Sequence, residues 1–187
     1  KGLLFNEENV LLDPYSRAVT GQRKWGEKPE GGKDFEYRAR VVKSSFDWGN
    51  IKQLEQPFED LVIYEIHVRG YTKDKSSGVS APGTFAGLKD KIPYLKDLGI
   101  NAVELMPIFE FDEMESARVV DGVQLYNYWG YNTVSFFAPN TSYAFNEEHN
   151  HEGDELKSLI KALKENGIEV ILDVVFNEDA SRIAMED

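Results

Sequence analysis

The feature that most constrains this fold is an alternation of short, β-branched apolar runs with stretches of helical periodicity. The apolar runs occupy residues 61–68, 101–109 and 168–176, and the helical patterns occupy residues 84–98 and 156–163. Strands that alternate with helices are typical of a parallel sheet with helical crossovers. Because all three runs are mostly apolar, as in strands covered on both faces, we predict an α/β fold.

The limits of both helical patterns can be predicted from capping residues. The first pattern begins at Thr84 and ends at Gly99. Because proline is tolerated only near the start of a helix, Pro93 predicts a short first turn followed by a main helix that begins near that residue. The second pattern has a lysine-rich face that we expect to be solvated, and Gly167 ends it. Its apolar face, at i, i+3, i+4 and i+7, is formed by Leu156, Leu159, Ile160 and Leu163.

Composition excludes several classes of function. The 187 residues include 33 acidic and 21 basic side chains, a formal net charge of −12, and no Cys. This charge repels nucleic acid and anionic membranes, and no apolar run approaches the ~20 residues of a membrane span, so we expect neither partner. A thiolate zinc site and a Cys nucleophile are excluded, and nucleotide-binding and Ser-hydrolase motifs are absent. We expect a neutral polar ligand and no cofactor.

Two regions fall outside the alternation. Residues 1–56 carry turn signals and three short apolar pieces that we predict to be small strands or extended segments, namely Leu3–Phe5, Val10–Leu12 and Tyr37–Val42. The chain opens at Lys1 without Met, and we expect that part of the natural protein precedes it. Residues 110–151 are longer than an ordinary connection, and connections of this length usually carry function or structure of their own.

Polar residues at the carboxyl ends of the predicted strands are the first candidates for a site, because ligands of parallel sheets bind there. These ends are residues 67–71, 107–112 and 173–177. Asp173 follows an apolar strand, where an unpaired carboxylate costs free energy. Two explanations remain open, a structural ion pair or cap and a carboxylate of a binding site.

The segment Tyr126–Asn132 alternates aromatic rings with amide side chains. Such a surface suits a sugar, whose C–H bonds lie on a ring while its hydroxyls need donors and acceptors. An aromatic plug that packs the long connection onto the domain explains the same pattern. The triplet His149-Asn150-His151 does not predict a metal site, because side chains at i and i+2 of a helix point apart and no third ligand is evident.

These segments, taken in order, resemble the isoamylase and glycogen-debranching branch of the α-amylase superfamily, glycoside hydrolase family 13. The resemblance is carried by Asp13-Pro14-Tyr15, residues 61–72, residues 101–112, Tyr128-Trp129-Gly130-Tyr131-Asn132 with Phe136-Phe137-Ala138-Pro139, and Asp173–Asn177. It implies a partial (β/α)8 TIM barrel, strands 1–3 with two helices, over residues 57–187. Residues 1–56 are then the end of a β-sandwich of the glycogen-binding kind and a lead-in segment.

The resemblance implies hydrolysis of α-1,6 branch points in glycogen, amylopectin or limit dextrin, with retention of configuration. Tyr131 matches the tyrosine that stacks on the sugar beside the cleaved bond, and Trp129 and Asn132 flank it as further expected substrate contacts. Asp173 and Asn177 match a motif that ends in a histidine in the family. Glu178 stands at that position here, and the similarity ends with it. Pro107 marks the end of the second strand.

The family's three catalytic carboxylates lie on later strands, so the resemblance implies no catalytic residue in this chain. A barrel needs about 250 residues, and we expect the chain alone to be inactive and not to fold autonomously. The alternative is a non-catalytic protein that binds α-glucan or another partner through the same fold. No signal peptide is visible, which favours the cytoplasm, or a plastid if the source is a plant or alga.

Overall fold

The computed structural model describes residues 11–27, 37–148 and 150–176. In this part of the chain the helices are α1 (Val68–Thr72), α2 (Phe85–Lys89), α3 (Ile92–Leu98) and α4 (Glu152–Glu165). The strands are β1 (Ile63–Ile66), β2 (Ala102–Leu105), β3 (Phe109–Phe111), β4 (Arg118–Val120), β5 (Val123–Leu125), β6 (Thr133–Pro139) and β7 (Glu169–Leu172). Single 3-10 turns lie at Phe58–Asp60, Lys75–Ser77 and Thr141–Tyr143.

A three-stranded parallel sheet is the centre of the fold. Its order is β1-β2-β7, and Ile63, Ala102 and Glu169 lie side by side in its register. The predicted parallel α/β arrangement is therefore confirmed. Strands β3 and β6, and strands β4 and β5, form two small antiparallel pairs within the long connection.

The helices begin and end where the capping residues predict. The Thr84 side chain accepts a hydrogen bond of 3.1 Å from the Gly87 N–H at the start of α2. Pro93 lies in the first turn of α3, which ends at Gly99 with φ of +85°. The apolar face of α4 is packed as expected, with Leu159 and Leu163 fully buried.

The hydrophobic core lies between one face of the sheet and these helices. Ile66 and Leu105 contribute from the sheet, and Leu88, Leu95 and Leu159 contribute from α2, α3 and α4. In the described part of the chain the longest helix, α4, has 14 residues. No helix there is long and apolar enough to cross a bilayer.

Each strand of the sheet is shorter than its apolar run. We predicted a strand to Val68, but β1 ends at Ile66 because the His67 imidazole caps α1. Strand β2 ends at Leu105, before the buried Pro107, and Phe109 begins β3 rather than continuing β2. Strand β7 spans four residues instead of nine. After β1 and β2 the apolar content extends past the strand because Val68 and Ile108 are also buried, whereas Phe176 after β7 is exposed.

Residues 1–56, which precede the parallel sheet, were predicted to contain small strands or extended segments. Among its described residues, only an isolated antiparallel bridge joins Val19 to Ala39, and Tyr37–Val42 forms no longer strand. Leu3–Phe5 and Val10 lie outside the described residues. The β-sandwich implied by the resemblance therefore stays a prediction.

The described residues of the lead-in segment, 11–27 and 37–56, are held against the rest of the described chain by polar contacts. The Arg40 guanidinium and the Glu152 carboxylate form a buried ion pair of 2.7 Å, with side chains 13% and 4% exposed. The predicted solvated face of α4 also contacts this segment, since the Lys161 and Lys164 ammonium groups donate to the Asp47 carbonyl and the Gln53 side chain at 3.1 and 3.0 Å.

Candidate functional site

The aromatic segment Tyr126–Asn132 lies over the carboxyl ends of the parallel sheet. Its Tyr128 contacts His67, which follows β1, and its Tyr131 contacts Asp173, which follows β7. The long connection thus joins the two outer strands at the edge where parallel sheets bind ligands. Residues far apart in sequence meet here because parallel strands place their carboxyl ends together.

The contact between Tyr131 and Asp173 is short. The Tyr131 hydroxyl donates to Oδ2 of Asp173 at 2.5 Å, as expected for a charge-assisted bond to a carboxylate. This hydrogen bond, followed by burial and by the negative charges of Asp173, Glu65 and Glu104, raises the pKa of Tyr131 to about 12. The phenol is therefore neutral at physiological pH and directs its proton at Asp173.

Gly130 gives Tyr131 its position. Its φ is +81°, in the left-handed region, and a Cβ at this residue would lie 2.5 Å from the Phe111 ring. Glycine is required for both reasons, since other L-residues rarely adopt this conformation and the ring leaves no space for a methyl group. The turn at Gly130 packs on the core while Trp129 on one side remains 62% exposed.

His67 attaches the aromatic segment to the sheet. Its Nδ1 accepts from the Gly70 N–H at 2.9 Å, and its Nε2 lies 2.7 Å from the Tyr128 carbonyl oxygen. A carbonyl only accepts, so Nε2 carries the proton. The imidazole also stacks on the Tyr128 ring, with centroids 4.1 Å apart. Burial lowers the pKa of His67, which favours this neutral form.

Trp25, from the lead-in segment, packs against Tyr128 of the aromatic segment. Its ring stacks on Tyr143 with centroids 6.3 Å apart and meets the Tyr128 ring edge-on at 5.9 Å. The Arg69 guanidinium lies 4.4 Å from the centre of the Trp25 ring, a cation–π contact. Arg69 belongs to the predicted cluster at residues 67–71, but sequence reasoning missed Trp25, because no spacing pattern connects residues 44 positions apart.

Two buried carboxyl groups of the long connection lie against the lead-in segment, Glu110 beside Gly21 and Glu113 beside Gly26. Glu110 is fully buried and accepts from the Thr141 N–H at 2.7 Å, and burial raises its pKa to about 8 despite this bond. Glu113 accepts from the Gly26 N–H at 3.0 Å and from the Ser142 hydroxyl, and burial raises its pKa to about 7. These groups face the lead-in segment and not the Tyr131 surface.

A cleft of about 760 Å³ opens beside the aromatic segment, within the usual range for ligand pockets of roughly 300–1,000 Å³. Its apolar surface comes from Leu125 and from five rings, those of Trp25, Tyr126, Tyr128, Trp129 and Tyr131. Among its polar side chains are Glu115, Arg118, Gln124 and Asn132. Within the cleft the Asn132 amide donates to the Glu115 carboxylate, whose pKa is raised by burial. Rings with adjacent donors and acceptors match the two kinds of surface that a sugar presents.

The structure brings together some of the predicted residues and separates others. Tyr131, Trp129 and Asn132 share the cleft, and Asp173 lies at the hydroxyl of Tyr131. Asp112 instead accepts from the Gln22 side chain at 3.1 Å. Asn177 and Glu178 lie outside the described residues, as does His149. Among the described residues no cluster of metal-ligating side chains is present.

Comparisons with known proteins give consistent results. The alpha-amylase catalytic-domain model matches residues 41–187. The chain is 40% identical to Isoamylase 1, chloroplastic, of Arabidopsis thaliana over 96% of its length, but this covers 24% of the relative. It is 44% identical to Isoamylase 3, chloroplastic, of Oryza sativa subsp. japonica, covering 95% of this chain and 23% of the relative. The chain thus spans about a quarter of these relatives.

Solved structures with similar folds are also known. The pullulanase type I of Bacillus subtilis str. 168 complexed with maltose matches 92% of this chain and 24% of its own, with a TM-score of 0.72 and 29% identity. The pullulanase SAP of Group B Streptococcus, in complex with maltotetraose, matches 89% of this chain and 23% of its own, with a TM-score of 0.68 and 29% identity.

Proposed function

The chain belongs to the alpha-amylase family, and from that premise we propose that it supplies the first three strands and the sugar-binding surface of a debranching glycoside hydrolase of the isoamylase type. The proposed substrates are glycogen, amylopectin and limit dextrin, whose α-1,6 branch points would be hydrolysed with retention of configuration. The observation that carries the proposal is the aromatic cleft, in which Tyr131 is oriented by its hydrogen bond to Asp173. The proposed location is the cytoplasm or a plastid.

The cleft supports this substrate by its chemistry. A neutral oligosaccharide needs ring faces for its C–H bonds and fixed hydrogen-bonding groups for its hydroxyls, and Trp129, Tyr131 and Asn132 supply both. A net charge of −12 does not oppose a neutral ligand, whereas it repels an anionic one. In this proposal Tyr131 stacks on a glucosyl unit and Asp173 fixes the Tyr131 ring through its hydroxyl.

The hydrolytic step itself requires more than this surface. A retaining glycosidase needs an acid/base and a nucleophilic carboxyl group roughly 5–5.5 Å apart across the bond. In the family that this chain resembles, those groups lie on later strands of the barrel. We therefore propose that residues 57–187 bind and orient the glucan, and that further strands supply the reacting carboxyl groups. The division at residue 56 is part of the same proposal.

The test is calorimetric titration of the 187-residue chain with maltose and maltotetraose, with cellotetraose as the control ligand. Selective binding of the α-linked sugars is expected. Tyr131→Ala should abolish most of that binding, and Tyr94→Ala should not, because Tyr94 is an exposed tyrosine on α3 outside the cleft. Equal affinity for cellotetraose, or no binding of either α-glucan by a sample whose circular dichroism shows folded helix and sheet, would contradict the proposal.

A second candidate function is glucan binding without hydrolysis. It is favoured by Glu178, which stands where the isoamylase branch that this chain resembles has a histidine that contacts the sugar. The two functions are separated by joining this chain to the later barrel strands of an isoamylase and measuring the reducing ends released from amylopectin. Release by the joined protein is expected for a hydrolase, and binding without release is expected for a glucan-binding protein. Release by the 187-residue chain alone would exclude this second function.

A further inference from the structure

The β4–β5 hairpin forms a wall of the cleft that no expectation from the sequence addressed. Arg118 and Leu125 are register partners at its open end, and both line the cleft together with Tyr131. The Gln124 side chain donates to the carbonyl oxygens of Arg118 and Leu125, at 3.3 and 3.0 Å. Both hydrogen bonds lie within the hairpin, and they hold its two strands together at the open end.

Arg118 is available for a ligand. The side chain is exposed, and among the described residues it has no ion-pair partner, although the chain has 33 acidic and 21 basic residues. A guanidinium group carries five N–H donors in a fixed plane, which suits the adjacent hydroxyl oxygens of a sugar. The net charge of −12 repels an anionic ligand, so a neutral ligand is favoured.

Apolar surface lies directly beside the Arg118 guanidinium. Leu125 and Tyr126 give apolar surface on the same wall, and Trp25 lies at the base of the cleft. A hydrogen-bond donor flanked by apolar surface repeats, at the hairpin, the arrangement that Tyr131 and Asn132 form in the aromatic segment. The cleft therefore has two surfaces that combine donors with apolar side chains, as a sugar ligand requires, within one continuous space of about 760 Å³.

We propose that the hairpin is a second glucosyl-binding surface, at which Arg118 and Leu125 hold a unit of the α-glucan beyond the one that stacks on Tyr131. This rests on the proposed function, because it assigns a further contact for the same ligand. Chain-length preference is then set by the hairpin, while recognition of the first sugar is set by the aromatic segment.

The hairpin is also a surface that a ligand can order. All six of its strand residues are exposed, and a two-stranded hairpin with no buried face is only marginally stable in water. Contact with a sugar adds buried area on one side. Amide hydrogen exchange in residues 118–125 should therefore slow when a ligand long enough to reach the hairpin is bound.

The experiment measures maltose and maltotetraose binding to the native chain, to Arg118→Ala and to Val119→Thr. Val119 is an exposed hairpin residue that pairs with Gln124 and does not line the cleft, so its near-isosteric change is the matched control. The native chain should bind maltotetraose more tightly than maltose. Arg118→Ala should weaken maltotetraose binding about tenfold, as for a lost hydrogen bond from a charged donor, and leave maltose binding unchanged. Val119→Thr should change neither.

Hydrogen exchange gives an independent measurement on the native chain. Maltotetraose should protect residues 118–125, and maltose should not. Unchanged binding of both sugars by Arg118→Ala, or equal loss of both, would overturn the hairpin surface while the proposed function stands. If the native chain is folded by circular dichroism and binds neither sugar, the proposed function fails and the hairpin proposal falls with it.

Discussion

At the scale of single residues, the site depends on two side chains that position aromatic rings. Asp173 accepts a hydrogen bond from the Tyr131 hydroxyl, and His67 contacts both the ring and the carbonyl of Tyr128. The two anchors lie at the ends of the outer strands of the sheet. They explain why an exposed segment with few buried side chains keeps its rings in a fixed orientation.

Replacing Tyr131 separates the role of its ring from that of its hydroxyl. Tyr131→Ala should weaken maltotetraose binding by about 1–3 kcal/mol, because it removes a stacking surface. Tyr131→Phe keeps the ring but loses the bond to Asp173, so a smaller loss is expected. Titration calorimetry on both variants gives the comparison. Equal losses would show that orientation by Asp173, rather than stacking, dominates binding.

Replacing His67 should release the aromatic segment. His67→Ala removes a helix cap and the contact with Tyr128, and we expect the local opening free energy of residues 126–132 to fall by about 1–2 kcal/mol. Amide hydrogen exchange measures this. His151→Ala is the control, because His151 precedes α4 without a side-chain cap. Faster exchange in His151→Ala as well would contradict a specific role for His67.

In the native chain, residues 126–132 should also open more often when the pH is lowered. Burial lowers the pKa of His67 below its ordinary value of 6.5, so the folded form favours the neutral imidazole. The neutral His67 imidazole therefore stabilises the folded segment above pH 6.5, and this stabilisation is lost as the pH falls below that value. Exchange in residues 126–132 should accelerate in this window in the native chain, after correction for intrinsic rates, and not in His67→Ala.

At the scale of elements, the lead-in segment is part of the same packing unit as the long connection. Trp25 lies under the aromatic segment, the Gly26 N–H donates to Glu113, and Arg40 pairs with Glu152 at the start of α4. Buried polar contacts of this kind are costly unless satisfied. They therefore favour one arrangement of the lead-in segment against β3 and α4.

Glu110 in β3 should give this packing a pH dependence. Its pKa is raised from 4.5 to about 8 by burial, so the folded state holds the proton more tightly than the unfolded state. The protonated Glu110 carboxyl stabilises the folded state. This contribution is fully present below about pH 4.5 and is lost as the pH rises to about 8, by at most about 1.4 kcal/mol per pH unit. Hydrogen exchange in β3 across this range measures the slope.

Glu110→Gln is the matched variant, because an amide can keep both contacts with Thr141 without ionising. We expect a flatter pH dependence from pH 4.5 to 8 and little change at the acid end. Glu59→Gln, at an exposed acid, should leave the native slope intact. An unchanged slope in Glu110→Gln would show that another group titrates in this window.

At the scale of the whole molecule, the described sheet is open at both edges. Within the described residues, β1 and β7 each pair with β2 alone, and the face away from the helices carries Glu65 beside Glu104 in register. Unpaired edges are sites for association with other chains, and like charges directly opposite each other are destabilising. A closed barrel would cover the edges, and this sheet has three of the eight strands that a barrel requires.

We therefore expect the purified 187-residue chain to release no reducing ends from amylopectin and to show a broad thermal transition. It should also associate in a concentration-dependent way, because its two edge strands have free hydrogen-bonding groups. Circular dichroism during heating and sedimentation at several concentrations measure both properties. A sharp, concentration-independent transition of a monomer would contradict this expectation.

The sequence alone determined the parallel α/β alternation, the helix limits at Thr84, Gly99 and Gly167, and the resemblance that the family match confirmed. These are local properties, because periodicity and capping depend on residues within a few positions of one another. The roles of Trp129 and Asn132 as sugar contacts were predicted only by resemblance, and they stay predictions.

The tertiary structure decided which distant residues meet. Only the folded chain places Trp25 beneath Tyr128, the Tyr131 hydroxyl on Asp173, and the hairpin along the same cleft. It also decided where strands end, because ladder hydrogen bonds stop at Ile66 and Leu105 although apolar residues continue. The physical reason is that such contacts join segments tens of residues apart, and their geometry depends on how the intervening elements pack.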